Sequence, residues 1–210
     1  MNVYDFDGTI FPKDCSVDFF LWCLKRRPLL WLTYVPRTLV NLFLRKIKVI
    51  SECTLQRNFF GYLTKIKDLD VQLERYWDKN EKYIAPWYLA QKKDDDLIIS
   101  ASPICIIAPI ANRLGVKYVA TDFELEYGVF LNNMMYAKEK ARYIIEHGFP
   151  VIENFYSDSL SDTPLALCAE KAHWVKNFAG TVVDWPDLNE KNMKVVKKKI
   201  DSGWSVHLKE

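Results

Sequence analysis

Between Asp14 and Asp94 the sequence carries no strand signal, whereas strand-like runs stand on both sides of that stretch. Within it, apolar and aromatic residues recur every three or four positions through residues 19–24, 39–50, 55–63 and 71–89, the spacing of helices that bury one face. Pro28, Pro36, Gly61 and Pro86 punctuate the pattern and are expected to separate the helices. Ahead of it, residues 2–6 read as a short buried strand ended by Gly8-Thr9. Behind it, apolar runs at 97–100, 117–122, 129–133, 154–157 and 173–175 alternate with helical runs at 103–114, 138–147 and 164–170, and Gly115 stands where a helix ends. Strands alternating with helices specify a parallel sheet covered on both faces. The expected architecture is α/β: a Rossmann-like core of residues 1–13 and 95–210, with a helical cap of residues 14–94 inserted after the first strand.

Composition narrows the function classes. Half of the 210 residues are apolar, with 7 Gly and 9 Pro, which excludes a collagen-like or disordered chain. A net charge of +2 argues against a general nucleic-acid partner. That figure is an average, because residues 14–94 hold 15 basic and 9 acidic residues and the remainder holds 14 and 18. Cys15, Cys23, Cys53, Cys105 and Cys168 show no C-x-x-C spacing, so neither a zinc site nor a disulfide framework is expected. Reduced thiols and a strand-like run at the start, where a signal peptide would stand, lead us to expect a cytoplasmic protein. The one membrane-like stretch, residues 28–44, is interrupted by Pro36, Arg37 and Asn41, which argues against a spanning helix.

The chemistry is concentrated in Asp5-Phe6-Asp7-Gly8-Thr9, at the carboxyl end of the first strand, where parallel α/β sheets bind ligands. Two carboxylates so close repel unless a cation or a phosphoryl group relieves them. A solvated turn that happens to hold two acids is the alternative.

This motif resembles the opening signature of the haloacid dehalogenase superfamily of phosphotransferases, and three further matches follow in that family's order. Ser100, ending the apolar run 97–100, stands where the family places its phosphate-binding hydroxyl. Residues 137–142 resemble its lysine motif, with Lys140 as the match. Residues 157–164 resemble its second acidic motif, with Asp158 and Asp162. The resemblance implies that Asp5 is the nucleophile on phosphorus and that Asp7 is the general acid and then the base. It implies Mg²⁺ held by Asp5, Asp158 and the backbone carbonyl of Asp7, with Asp162 in support. It places the Ser100 hydroxyl, the Ala101 N–H and Lys140 on the phosphoryl oxygens. An acid at Asp7 implies phosphatase or phosphomutase chemistry, and a helical cap after the first strand is the arrangement of the phosphoserine phosphatase-like subfamily. Residues 122–128 resemble the hairpin turn that this subfamily places after its third strand.

Two substrate classes remain. Between Asp18 and Glu52 there are seven basic residues and no acidic one: Lys25, Arg26, Arg27, Arg37, Arg45, Lys46 and Lys48, interleaved with apolar and aromatic residues. Such a segment suits peripheral contact with an anionic membrane at its inner face; cap helices with a solvated basic face are the alternative. Bacterial phosphatidylglycerophosphate phosphatases of the subfamily are similar in this segment and in the motif at 156–164, which implies a lipid phosphate or another anionic phosphomonoester. Phosphoserine is the competitor, and Asp14 stands where such enzymes carry a Glu for the amino group. A non-catalytic phospho-ligand-binding protein is a third possibility. His147, His173, His207 and the run Lys197-Lys198-Lys199 are read as ordinary surface or packing residues.

Overall fold

Val3 and Tyr4 are both fully buried, yet successive strand residues point to opposite faces, so the first strand is covered on both sides. The computed structural model describes residues 1–176 and 180–200. Its strands are β1 (Asn2–Tyr4), β2 (Leu97–Pro103), β3 (Lys117–Thr121), β4 (Phe123–Glu124), β5 (Val129–Phe130), β6 (Ile152–Ser157), β7 (Ala169–Val175) and β8 (Val182–Asp184). Its helices are α1 (Cys15–Arg26), α2 (Pro28–Lys46), α3 (Glu52–Phe60), α4 (Leu69–Asn80), α5 (Pro86–Gln91), α6 (Ile104–Leu114), α7 (Lys138–Glu146), α8 (Thr163–Ala166) and α9 (Glu190–Ile200). The main sheet has the order β3-β2-β1-β6-β7-β8, parallel throughout except for β7 against β8. Val3 lies opposite Leu97 on one side and Phe155 on the other. On one face Val3, Leu97, Ile99 and Phe155 pack with Ile144 and Leu165; on the other Tyr4 and Ile98 pack with Ile106, Trp77 and Tyr88. This is the α/β core expected from the alternation.

Helices α1 to α5 lie between β1 and β2 in sequence. Asp14 caps α1 by accepting the Val17 N–H, Ser51 caps α3 through the Thr54 N–H, and Pro28 and Pro86 occupy first turns. Pro36 does not end a helix as expected: α2 runs unbroken through it. The carbonyl of Leu32 loses its helical donor there, on a turn where Leu32 and Pro36 are both exposed. Helices α4 and α5 are fixed to the sheet layer. The Trp77 Nε1–H donates to the Ile106 carbonyl at 2.9 Å, its ring meets Phe6 and Phe11 edge-on, and the Ala85 N–H reaches Ile10 O at 2.8 Å.

Three further expectations shift. The run 129–133 supplies only two paired residues, and β4 and β5 form a separate antiparallel hairpin. The helix expected over 164–170 stops at Ala166, because β7 begins at Ala169, which pairs with Ile152 of β6. Strand β8, three residues at the sheet edge, was not expected. Lys197 and Lys198 are exposed on α9, while His207 lies outside the described residues. No helix among the described residues is long and apolar enough to cross a membrane, and the five cysteines are free.

Candidate active site

Strand β1 has β2 on one side and β6 on the other, so the sheet's connections diverge at its carboxyl end and leave a crevice there. Asp5 stands at that end, with its N–H on the Tyr156 carbonyl at 2.9 Å. The chain then closes tightly: the N–H groups of Ile10 and Phe11 both reach the Phe6 carbonyl, and Gly8 sits at φ +77°, which favours glycine. A Cβ on Gly8 would lie 2.7 Å from Cγ of Asp158 and closer still to its Oδ2. The glycine therefore admits a second carboxylate beside the first loop.

Lys140, 2% exposed and delivered by α7, donates to Asp5 Oδ1 at 2.6 Å and to Asp162 Oδ2 at 2.8 Å. Asp162 also accepts from the Ser157 hydroxyl at 2.9 Å. Ala137, which precedes α7, is held at φ 51°, an unfavourable backbone for a residue with a Cβ. Burial works against the Lys140 ammonium, yet Asp162 and Asp5 outweigh it and hold the pKa above its ordinary value. Burial, with Lys140 opposing and Asp162 and Asp158 adding, pushes the Asp5 carboxyl up to about 8. Two carboxyl groups thus bond one ammonium while a third, Asp158, adds its charge beside Asp5, an imbalance that a divalent cation would relieve. The donors are all oxygens, which suits Mg²⁺. No cage of three or more His, Cys, Asp or Glu exists among the described residues, so water and substrate oxygens would complete the shell, as Mg²⁺ ordinarily allows.

Asp7 is held differently. Its Oδ1 accepts the Cys15 N–H at 2.7 Å, so it serves the exposed N–H end of α1. Its Oδ2 accepts from the Ser102 hydroxyl at 2.7 Å and the Ser100 hydroxyl at 3.3 Å, while Ser16 Oγ lies 2.8 Å from Ser102 Oγ. Burial and the neighbouring Asp14 raise its carboxyl to about 6, with the Cys15 amide and Ser102 hydroxyl pulling it down.

These groups floor a cavity of about 700 Å³. Its floor holds Asp5, Asp7, Ala101, Ser102, Lys140 and Asp158. Its walls are apolar, from Phe20, Leu42, Leu55, Phe59, Phe60 and Met134. None of the seven basic residues between Asp18 and Glu52 lines it, and Lys140 is the one cationic side chain in its described lining. Asp14 reaches the cavity, but its carboxylate accepts the Val17 N–H at 3.0 Å.

Residues 3–167 match the family model of the haloacid dehalogenase-like hydrolases. The chain belongs to that family. Among solved structures, a protein of unknown function from Bordetella pertussis Tohama I superposes with a TM-score of 0.62 at 20% identity, covering 82% of this chain and 87% of that one. A phosphoserine phosphohydrolase-like protein from Francisella tularensis gives 0.50 at 17% identity, with 82% and 86% covered. A cytosolic 5'-nucleotidase IIIB bound to cytidine gives 0.51 at 15% identity, with 95% and 86% covered. At these identities the likeness is one of fold. Among curated proteins none matches the sequence significantly.

In this haloacid dehalogenase-like hydrolase the structure brings Asp5, Asp7, Ala101, Lys140, Asp158 and Asp162 to one cavity. Ser100 is fully buried and does not line it. The pairing of β2 with β3 shifts register between Ser100 and Pro103, and that irregularity carries Ser102 to the surface of the cavity, its hydroxyl on Asp7. Ser102 was absent from the sequence-based set; the repeat of Ser two positions on in Ser-Ala-Ser-Pro was its signal. Thr9 was missed as a working residue too. Its hydroxyl donates to Asp5 Oδ2 at 3.2 Å and accepts the Asp158 N–H at 3.1 Å, tying the two acidic loops together. The hairpin expected at residues 122–128 forms, with its turn between β4 and β5, and His147 and His173 lie outside the cavity lining.

Proposed function

We propose that this hydrolase is a Mg²⁺-dependent phosphomonoester phosphatase that works through an aspartyl-phosphate on Asp5. The observation that carries the reading is the contrast between two carboxyl groups two residues apart: Asp5 bonded to the buried Lys140 ammonium, Asp7 held on amide and hydroxyl donors. Such divergent environments suit a nucleophile and an acid–base pair member. The Asp5 carboxylate attacks phosphorus as the ester P–O bond breaks, and the leaving oxygen takes the proton of Asp7. Asp7, now a carboxylate, accepts a proton from water as that water attacks the acyl phosphate, releasing inorganic phosphate and restoring Asp5. Lys140 keeps Asp5 oriented and, with the Ser102 hydroxyl and the Ala101 N–H, faces the phosphoryl oxygens; Ser100 supports Ser102 from below, accepting its N–H at 3.1 Å. Asp5, Asp158 and the Asp7 carbonyl would hold Mg²⁺, which supplies charge neutralisation for the phosphoryl group.

The apolar walls favour a phosphomonoester whose leaving group is largely hydrocarbon, phosphatidylglycerophosphate or a related anionic lipid phosphate. Phosphoserine fits less well, because Asp14 is engaged in capping and the described lining offers its carboxylate no cation beyond Lys140. Residues 14–94 would act as the cap, with 1–13 and 95–210 as the catalytic core, in the reducing cytoplasm. Asp5→Asn is expected to abolish Mg²⁺-dependent hydrolysis of p-nitrophenyl phosphate, and chelation to silence the wild type. Full activity in the variant overturns the mechanism, and turnover in the wild type excludes a protein that merely binds phospho-ligands.

A further inference from the structure

Helix α2 hides little of its apolar surface. Its buried stripe is narrow, set by Leu30, Tyr34 and Asn41, with the Tyr34 hydroxyl on the Gly61 carbonyl and Asn41 on Asn58. At 100° per residue, Leu29, Leu32, Leu39, Leu42 and Phe43 fall on the opposite half-turn with Trp31 at its border, and each is 49–76% exposed. Val40 adds to the same arc, and Ile47 and Val49 extend the exposed apolar surface just beyond the helix. An isolated exposed leucine needs no explanation, but a contiguous arc of this kind marks an interaction surface.

Charge identifies the occupant. Lys25 and Arg26 stand at the amino end of α2, beside Arg27, which is paired with Asp68, and Arg45, Lys46 and Lys48 stand at its carboxyl end, with no acidic residue from 19 to 51. A second copy of this chain would set one net-basic rim against another. An anionic bilayer supplies both partners at once: hydrocarbon for the arc and headgroup charge for the rims. The helix is held along its inner stripe and carries Arg37 and Asn41, so it would lie on the surface rather than cross it.

The same helix borders the cavity. Thr38 and Leu42 line it together with Leu21 of α1 and Leu55 of α3, and both Leu42 and Leu21 are about half exposed. The apolar wall above Asp5 is therefore continuous with the outward arc. We propose that α2 seats the protein on an anionic membrane surface, from which a phosphomonoester borne on an alkyl chain enters the cavity between α1, α2 and α3. The seating stands on the helix alone; the entry of substrate rests on the phosphatase reading above.

The experiment is co-sedimentation of the full chain with vesicles of phosphatidylcholine containing 30% phosphatidylglycerol, and with pure phosphatidylcholine, alongside p-nitrophenyl phosphate turnover in solution. (That fraction is a choice of roughly the charge density at which basic rims bind.) Binding is expected to the anionic vesicles, at least about tenfold weaker to the neutral ones, and reduced by salt. Leu32→Glu/Phe43→Glu, at exposed positions off the cavity, is expected to lower vesicle binding by at least about tenfold, since it removes two apolar side chains that the bilayer would bury and adds two charges of the same sign as its headgroups. Turnover of the soluble ester should stay at the wild-type level, which reports that the variant is folded. Equal binding to both vesicles, binding to neither, or a wild-type dimer that the double variant dissociates overturns the membrane seating. Loss of ester turnover in the wild type, with binding retained, fails the phosphatase reading instead.

Discussion

Gly8→Ala separates geometry from stability at the site. An alanine at φ +77° carries backbone strain of about 1–2 kcal/mol. Its Cβ would lie 2.7 Å from Cγ of Asp158, against a normal carbon contact of about 3.5 Å. The carboxyl is the end of a side chain and can turn away, so the fold survives, but it must move by roughly 1 Å from the place it shares with Asp5. A displacement of that size costs about 100-fold in rate. Gly115→Ala is the control, because Gly115 has φ +67° and nothing within 4 Å of the added Cβ. Both variants are expected to melt roughly 2–8 °C lower by circular dichroism, the shift that 1–2 kcal/mol gives a chain of this size. Only Gly8→Ala should lose the hydrolysis of p-nitrophenyl phosphate, with KM for the ester little changed. Wild-type turnover in Gly8→Ala, or an equal loss in both variants, refutes the close approach of Asp158 as the reason for the glycine.

Ser102→Ala removes a donor that stabilises the Asp7 carboxylate, so the pKa of Asp7 rises above about 6 and the limb of the pH–rate profile that it sets moves to higher pH. Turnover should drop about tenfold, the value of one hydrogen bond to a charged group; an unmoved limb counts against Asp7 as the titrating acid. Trp77→Ala should cost roughly 3–5 kcal/mol in urea unfolding, because a fully buried ring is lost between the inserted helices and α6. A loss under about 1 kcal/mol would mean that α4 is not anchored through this side chain. His173, stacked on Tyr156 with Nε2 2.9 Å from Asn154 Oδ1, has its pKa lowered by burial and by Lys171. The unfolded chain therefore binds a proton that the folded one resists, and stability falls as pH drops through about 6.5. His173→Gln should flatten that component of the urea midpoint between pH 7 and 5, and identical pH slopes would exclude it.

The α/β core was legible because its signals are local: an apolar run buried on both faces, then a turn residue, then helical spacing. Gly115 shows how direct such a signal is, since its left-handed conformation closes α6 where the sequence places it. The errors lie where local signals compete with long-range pairing. Pro36 reads as a break, but α2 tolerates it on an exposed turn; residues 169 and 170 continue a helical pattern, but β6 offers them a ladder. At the site, the acids and Lys140 were readable from their order along the chain. Ser102 and Thr9 were not, because one depends on a register shift in β2 and the other on the contact of two loops 149 residues apart.

The separation of charge follows the same logic. The basic excess of residues 14–94 reads as a device for holding an anionic substrate, yet the cavity wall those residues supply is apolar and the charges stand outside it. The acidic excess of the core does reach the cavity, where Asp5 and Asp162 bond Lys140 and Asp158 stands beside Asp5. Phosphate would then be gripped entirely from the floor, by Lys140, hydroxyl and amide donors and a bound cation, while the walls read hydrocarbon. Each methylene buried against such walls contributes about 0.8 kcal/mol without regard to direction. On the proposed reading, selectivity built that way would favour chain-bearing esters over small polar ones, and the basic rims would meet the anionic surface on which such esters are found.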